Sequence, residues 1–227
     1  MASGPMRIAL FDLDHTLIPF DSGSVFTRFL ASRGALPESF EAQYLDYCRQ
    51  YAAGAVDMVE MHRFTVGALA VHSPQRLAGW LREFETMIGT LVPQASRALV
   101  REHQAAGHAC ALVTATTRFV AEPFGRVLGL ADVLATEPEF DAQGRCTGEI
   151  VGEPCFREHK RSHVRAWLAR RGLAWHDVTQ SWFYSDSGND MPLLQDVSNP
   201  VAVNADAALH AHALAAGWPL RSIVADA

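Results

Sequence analysis

Asp12-Leu13-Asp14-His15-Thr16 follows directly on the apolar run Ile8 to Phe11. A carboxylate can attack phosphorus and form an acyl phosphate, and Asp12 is placed for that role. Asp14, two residues on, can protonate a leaving oxygen and then deprotonate an attacking water. Thr16 can donate a hydrogen bond that orients both groups. Alone, D-x-D-x-T reads equally well as an acidic turn that caps a helix.

Three later stretches hold complementary groups. Thr114 closes the apolar run Ala109 to Val113, where its hydroxyl and the neighbouring N–H groups can hold a phosphate oxygen at the start of a helix. A plain N-cap is the alternative there. Lys160 opens a helical stretch and can neutralise a phosphate and an attacking carboxylate together. It reads otherwise as a solvated lysine, and Arg157 and Arg161 leave the choice of cation open. Ser185-Asp186-Ser187-Gly188-Asn189-Asp190 follows Trp182-Phe183-Tyr184. Two aspartates on a glycine-containing loop suit a hard cation such as Mg²⁺, which takes oxygen ligands and keeps several waters. Asp186, at the strand end, is the better direct ligand, and Asp190 supports it from behind. An Asx-rich turn is the bland reading.

The elements that must position these groups alternate. Ile8 to Phe11, Ala109 to Val113, Trp182 to Tyr184 and Val201 to Val203 have the length and character of buried parallel strands. Gln94 to Ala106, Lys160 to Arg171 and Ala205 to Ala216 read as helices that stop at glycine. An α/β fold with a parallel sheet is expected, and the four chemical stretches fall at strand ends or helix starts, where such sheets bind ligands.

Two segments break the alternation. Residues 18–92 read as four helices (Val25 to Ser32, Glu38 to Ala53, Met58 to Ala70 and Pro74 to Met87), too long and too periodic for a loop. Residues 137–156 read as a β-hairpin with its turn at Asp141 to Gly144. The expected domains are a core of residues 1–17 and 93–227 and an inserted domain of residues 18–92. Met1 to Pro5 is expected to be a disordered extension.

Composition narrows the class. The chain has 227 residues, 49% hydrophobic and 19% charged, with net charge −6. It has no basic stripe, which argues against nucleic acid as a partner. No apolar stretch has the length of a membrane span, and no signal-peptide pattern precedes Asp12, so a cytoplasmic location is expected. Cys48, Cys110, Cys146 and Cys155 form no C-x-x-C pair and read as free thiols. His210 and His212 project from different sides of an alanine-rich helix and are set aside as a metal pair. Trp80, Phe84, Trp167, Trp175 and Trp182 read as packing.

Together the four motifs, in this order, resemble the haloacid dehalogenase superfamily, phosphatase branch. The hairpin before Lys160 and the S-G-N-D loop look most like the phosphoserine phosphatase-like subgroup. The resemblance implies a Rossmann-like three-layer core with a helical cap of the C1 type. It implies an aspartyl-phosphate mechanism on a small phosphorylated metabolite, with Asp12 as nucleophile and Asp14 as acid/base. Mg²⁺ would be held by the Asp12 side chain, the Asp14 backbone carbonyl and Asp186, supported by Asn189 and Asp190. Thr114 and Lys160 would bind the phosphoryl group.

The sequence departs from that subgroup at two points. Thr114-Ala115-Thr116-Thr117-Arg118 stands where a Ser-Gly-Gly stretch is usual, and Asp21 stands where a glutamate usually meets an ammonium. Arg63, in the insert, is the candidate for meeting a carboxylate. His62 and His72 also fall in the insert, within possible reach of substrate. Phosphoserine, phosphoethanolamine and histidinol phosphate are the implied candidates. A sugar-phosphate mutase and a non-catalytic binding module are the alternatives.

Overall fold

Ile8, Ala9, Leu10 and Phe11 are fully buried, a pattern that requires cover on both faces of a strand. The computed structural model supplies that cover. It describes residues 6–52 and 55–223, and the expectation for Met1 to Pro5 lies outside them, as does the end of the second predicted helix at Ala53. In chain order the first half comprises β1 (Met6–Phe11), α1 (Ser22–Ser32), α2 (Phe40–Ala52), α3 (Met58–Gly67), α4 (Pro74–Ile88) and α5 (Gln94–Ala105). Next come β2 (Ala109–Thr117), α6 (Arg118–Leu128), β3 (Asp132–Thr136), β4 (Pro138–Phe140) and β5 (Cys146–Ile150). The chain continues through α7 (His159–Ala169), β6 (Val178–Ser185), α8 (Met191–Asp196), β7 (Asn199–Val203), α9 (Ala207–Ala216) and β8 (Leu220–Arg221).

The main sheet has the order β3-β2-β1-β6-β7-β8, and every neighbouring pair is parallel. The chain winds outward from β1 on one side and then from β6 on the other. The order therefore reverses between β1 and β6, where a crevice opens beyond the strand ends. Alternation along β1 divides the core. Ala9 and Phe11 pack with Val100, Leu112 and Phe124 on one face. Ile8 and Leu10 pack with Trp167, Phe183 and Leu193 on the other. Each such large side chain contributes roughly 1.5–3 kcal/mol by leaving water. The α/β fold, parallel sheet and inserted helices match the expectation.

The insert supplies α1 to α4, and local chemistry starts each helix whose cap is seen. Asp21 caps α1 by accepting from Ser24 N at 2.7 Å, Asp57 and Glu60 form a reciprocal box on α3, and Ser73 precedes Pro74 on α4. Phe26, Phe29 and Phe84 join the same apolar cluster as Phe11 and Phe124, so the insert is packed onto the core. The sequence did not single out α6 or β3. Pro123 inside α6 disguises it as a loop, and β3 opens on a charged Asp132. Strand β2 also runs on to Thr117, past the predicted stop at Val113. Among the described residues no helix is long and apolar enough to cross a membrane.

The predicted hairpin is present as antiparallel β4 and β5. It leans on α3 of the insert. Gly148 has φ +92°, and a Cβ there would lie 3.0 Å from the Gly67 Cα. Glu149 accepts a forked pair of bonds from Arg63 at 2.8 Å each. Gly148→Ala is expected to destabilise the protein by roughly 1–3 kcal/mol, measured by urea unfolding, because the backbone is strained and the contact is closed.

His103 makes a second testable point. Its Nε2 meets the Tyr184 hydroxyl at 2.8 Å and its Nδ1 meets His108 Nδ1 at 2.8 Å. Burial, aided by the neighbouring His108 and Arg221 charges, pushes its pKa down to about 4. An unfolded histidine titrates near ~6.5 and so takes up its proton first as pH falls. The stability this residue provides is complete above that value and is lost as pH drops toward the folded pKa. Relative to the parent chain, His103→Gln should therefore lose less of its urea midpoint, or gain more, between pH 7 and pH 5.

Candidate active site

The crevice at the β1/β6 boundary is roofed by the insert and encloses a cavity of about 320 Å³. Asp12 N donates to Tyr184 O at 2.9 Å, which extends the β1–β6 pairing one residue past β1. That bond sets Asp12 beside the chain leading to Asp186. Thr16, fully buried, points its hydroxyl at both: Asp12 Oδ2 lies at 3.3 Å and Asp186 Oδ1 at 3.2 Å. A hydroxyl has one proton, so it bridges the pair without satisfying both.

Lys160, in the first turn of α7, is buried with its ammonium between two carboxylates. Nζ lies 2.7 Å from Asp12 Oδ1 and 2.6 Å from Asp190 Oδ2. Ser185 Oγ also donates to Asp190 Oδ2, at 2.7 Å. Burial alone would lower the lysine pKa, but the charges of Asp12 and Asp190 more than reverse this, so it stays protonated. Burial pushes the Asp12 carboxyl up, with Lys160 pulling against that and Asp190 adding to it. The sequence left Arg157, Lys160 and Arg161 as rival cations. Arg161 is taken by Asp196, while Arg157 donates to Asn189 Oδ1 at 3.2 Å.

Asp14 turns its side chain toward the insert. Oδ1 accepts from Ser22 N at 2.6 Å, and Oδ2 accepts from Thr116 Oγ1 at 2.7 Å. Burial raises its pKa to about 7, with the Asp21 and Asp12 charges adding and the two hydrogen bonds opposing. Ser22 and Thr116 were not among the predicted site residues. The hydroxyl-rich T-A-T-T run, where glycines were expected, was the available signal for Thr116. Thr114 is buried and accepts from Thr116 N at 3.2 Å, but it lies inside β2 and not at a helix start. The extra strand residues after it displace the helix to Arg118.

The cavity brings Asp12, Asp14, Asp21, Thr114, Lys160, Asp186, Asn189 and Asp190 together. Thr16 sits behind the carboxylates. Arg63 is the exception. It does not line the cavity, because its guanidinium is held outside by Glu149. The expectation that it meets a substrate carboxylate is corrected accordingly. His62 is buried and lines the cavity, and burial pushes its pKa down to about 4. His72 instead meets Ala35 O through Nε2 at 2.9 Å.

The donor set fits a hard divalent cation. Asp12 and Asp186 offer oxygens around one hydroxyl, and among the described residues Asp186 makes no direct ion pair of the kind that Lys160 makes with Asp12 and Asp190. Burial, with the Asp12 and Asp190 charges, pushes Asp186 up to about 8. Four aspartates around one lysine leave negative charge that a cation would offset. Among the described residues no three His, Cys, Asp or Glu side chains converge as a ready-made metal cage. The fit therefore rests on two carboxylates with backbone oxygen and water completing the shell, as Mg²⁺ prefers.

The family model for haloacid dehalogenase-like hydrolases matches residues 9–195, from β1 through α8. The chain belongs to the haloacid dehalogenase-like hydrolases. It is 37% identical over 218 residues to a histidinol-phosphatase of Neisseria meningitidis serogroup C, covering 94% of this chain and 97% of that one. It is 31% identical over 223 residues to phosphoserine phosphatase SerB1 of Mycobacterium tuberculosis, covering 94% and 70%. A solved structure of a Bordetella pertussis Tohama I protein of unknown function superposes with TM-score 0.89 at 44% identity, covering 95% and 98%. This haloacid dehalogenase-like hydrolase is an enzyme of the phosphatase type, in the phosphoserine phosphatase-like subgroup.

Removing the buried ammonium tests the charge balance. Lys160→Met is expected to destabilise the fold by roughly 3–5 kcal/mol in chelator, since Asp12 and Asp190 lose their counter-charge. Lys160→Met with Asp190→Asn should recover part of that loss in the same urea titration.

Proposed function

We propose that this enzyme is a Mg²⁺-dependent phosphomonoesterase that acts on a small phosphorylated metabolite through an aspartyl-phosphate on Asp12. The supporting observation is the convergence of Asp12, Asp14, Lys160 and Asp186 in one roofed cavity at the sheet's switch point. In the first step an Asp12 carboxylate oxygen attacks phosphorus. The ester P–O bond breaks, and protonated Asp14 gives its proton to the departing alkoxide. In the second step Asp14, now ionised, takes a proton from water. That water attacks the same phosphorus, the bond to Asp12 breaks, and inorganic phosphate leaves.

Each residue has a job that its surroundings suit. The Lys160 ammonium offsets the repulsion between the Asp12 carboxylate and an incoming phosphate dianion. Asp14, with its pKa near about 7, can change protonation state between the steps. Thr114 and the nearby amides take phosphate oxygens. Asp12, the Asp14 backbone carbonyl and Asp186 would hold Mg²⁺, with Asn189 and Asp190 supporting them. When bound, the metal supplies positive charge that orients and polarises the phosphoryl group. Among relatives, a histidinol-phosphatase and a phosphoserine phosphatase frame the substrate choice.

The test is phosphate release from p-nitrophenyl phosphate. Activity should vanish with EDTA and return with Mg²⁺. Asp12→Asn should lower kcat by roughly three orders of magnitude or more with an unchanged circular dichroism spectrum. Asp14→Asn should lower it by roughly 10²–10⁴-fold. An Asp12→Asn protein that keeps its activity would refute the assignment, and an isomerised sugar phosphate with little free phosphate would mark a mutase instead.

A further inference from the structure

The cavity has two chemically different ends. The core end carries four aspartates and Lys160. The end under the insert is lined by Phe26, Leu30, Met58, Met61, Val66 and Leu69 and contains one acidic side chain, Asp21. Among the described residues Lys160 is the one lysine or arginine lining the whole cavity, and it is already engaged by Asp12 and Asp190.

The basic residues nearby are committed elsewhere. Arg63 is forked onto Glu149, and Arg118 onto Glu137 with bonds of 2.6 and 2.8 Å. Arg157 lies over the Phe156 ring and donates to Asn189. His62 is neutral at physiological pH by its burial. A carboxylate on the leaving group would enter a compartment that offers it no counter-charge and faces it with Asp21. Burying an unpaired charge is strongly unfavourable.

Asp21 is a built feature and not merely a helix cap. Oδ1 accepts from Ser24 N at 2.7 Å and also from the hydroxyl of buried Tyr44 at 2.8 Å. Both bonds fall on one oxygen, so neither uses Oδ2. Tyr44 reaches it only because residue 23 is glycine: a Cβ there would lie 2.2 Å from the Tyr44 oxygen. The tyrosine fixes the carboxylate's orientation on the cavity wall, beside a mostly apolar surface.

On the phosphatase reading above, we infer that the preferred substrate is the phosphate ester of an amino alcohol that carries an apolar or flat ring and no carboxylate, its ammonium seated on Asp21. The apolar lining takes the ring, Asp21 takes the cation, and the missing arginine rejects amino acids. Of the three candidate substrates this disfavours phosphoserine. Phosphoethanolamine would leave the apolar end unfilled.

Steady-state kinetics of the full chain with Mg²⁺ on matched pairs decides the matter. 2-Amino-3-phenylpropyl phosphate should exceed 3-phenylpropyl phosphate in kcat/KM by at least about tenfold, and 2-aminoethyl phosphate should exceed O-phosphoserine by at least about tenfold. Asp21→Asn retains a capping oxygen but lacks the charge, and should reduce the amine advantage to within about threefold, mainly through KM. Equal values within either pair, or preference for O-phosphoserine, would overturn the inference. p-Nitrophenyl phosphate separates the two levels. If it is not hydrolysed, the phosphatase reading itself fails, whereas its hydrolysis without discrimination within the pairs defeats this inference alone. If Asp21→Asn does not fold, the wild-type pairs still decide.

Discussion

A buried ammonium held by two buried carboxylates organises this molecule. Lys160 comes from a helix, Asp12 from the end of the central strand and Asp190 from the loop after β6. Each is nearly inaccessible to water. None could be buried alone at tolerable cost, so the three segments are obliged to meet. Because the sheet reverses between β1 and β6, two of these partners are already neighbours through strand pairing. The third is delivered by α7, whose Trp167 and Leu168 pack under the sheet. The same demand for compensation explains why Asp186 and Asp14, without a lysine of their own, are pushed toward neutrality.

Much of this was legible in the residues. Apolar runs of buried-strand length ending in Asp12-Leu13-Asp14 and Ser185-Asp186 located two of the central strands and the crevice between them. What stayed hidden were partners distant in sequence. Arg63 looked available because nothing local to α3 shows that Glu149, 86 residues away, will take it. Arg157, Lys160 and Arg161 could not be ranked, because a helix start offers several directions and only packing selects one. Ser22 and Thr116 are ordinary hydroxyl residues until Asp14 turns toward them. The strand β3 and helix α6 were obscured by a charged first residue and an internal proline, local signals that tertiary packing overrode.

The insert depends on the core for more than attachment. Its phenylalanines share one cluster with β1 and α6, and the hairpin braces α3 through the Gly67–Gly148 approach and the Arg63–Glu149 fork. Asp14 ties the reactive end to the first turn of α1 through Ser22 N, while Asp21 caps that same turn. The position of α1 is thus coupled to the orientation of the acid/base candidate.

Because the roof is one uninterrupted stretch between β1 and β2, the chain keeps two tasks on separate lengths of polypeptide. Most residues that would grip the departing alcohol lie between positions 21 and 69, whereas those facing phosphorus lie at strand ends before and after. Drift within the first set can retune which alcohol is accepted without disturbing the second. A lineage carrying this architecture can diversify its substrates by altering one contiguous segment, a modular route to new specificity that a site woven from interleaved loops would not offer.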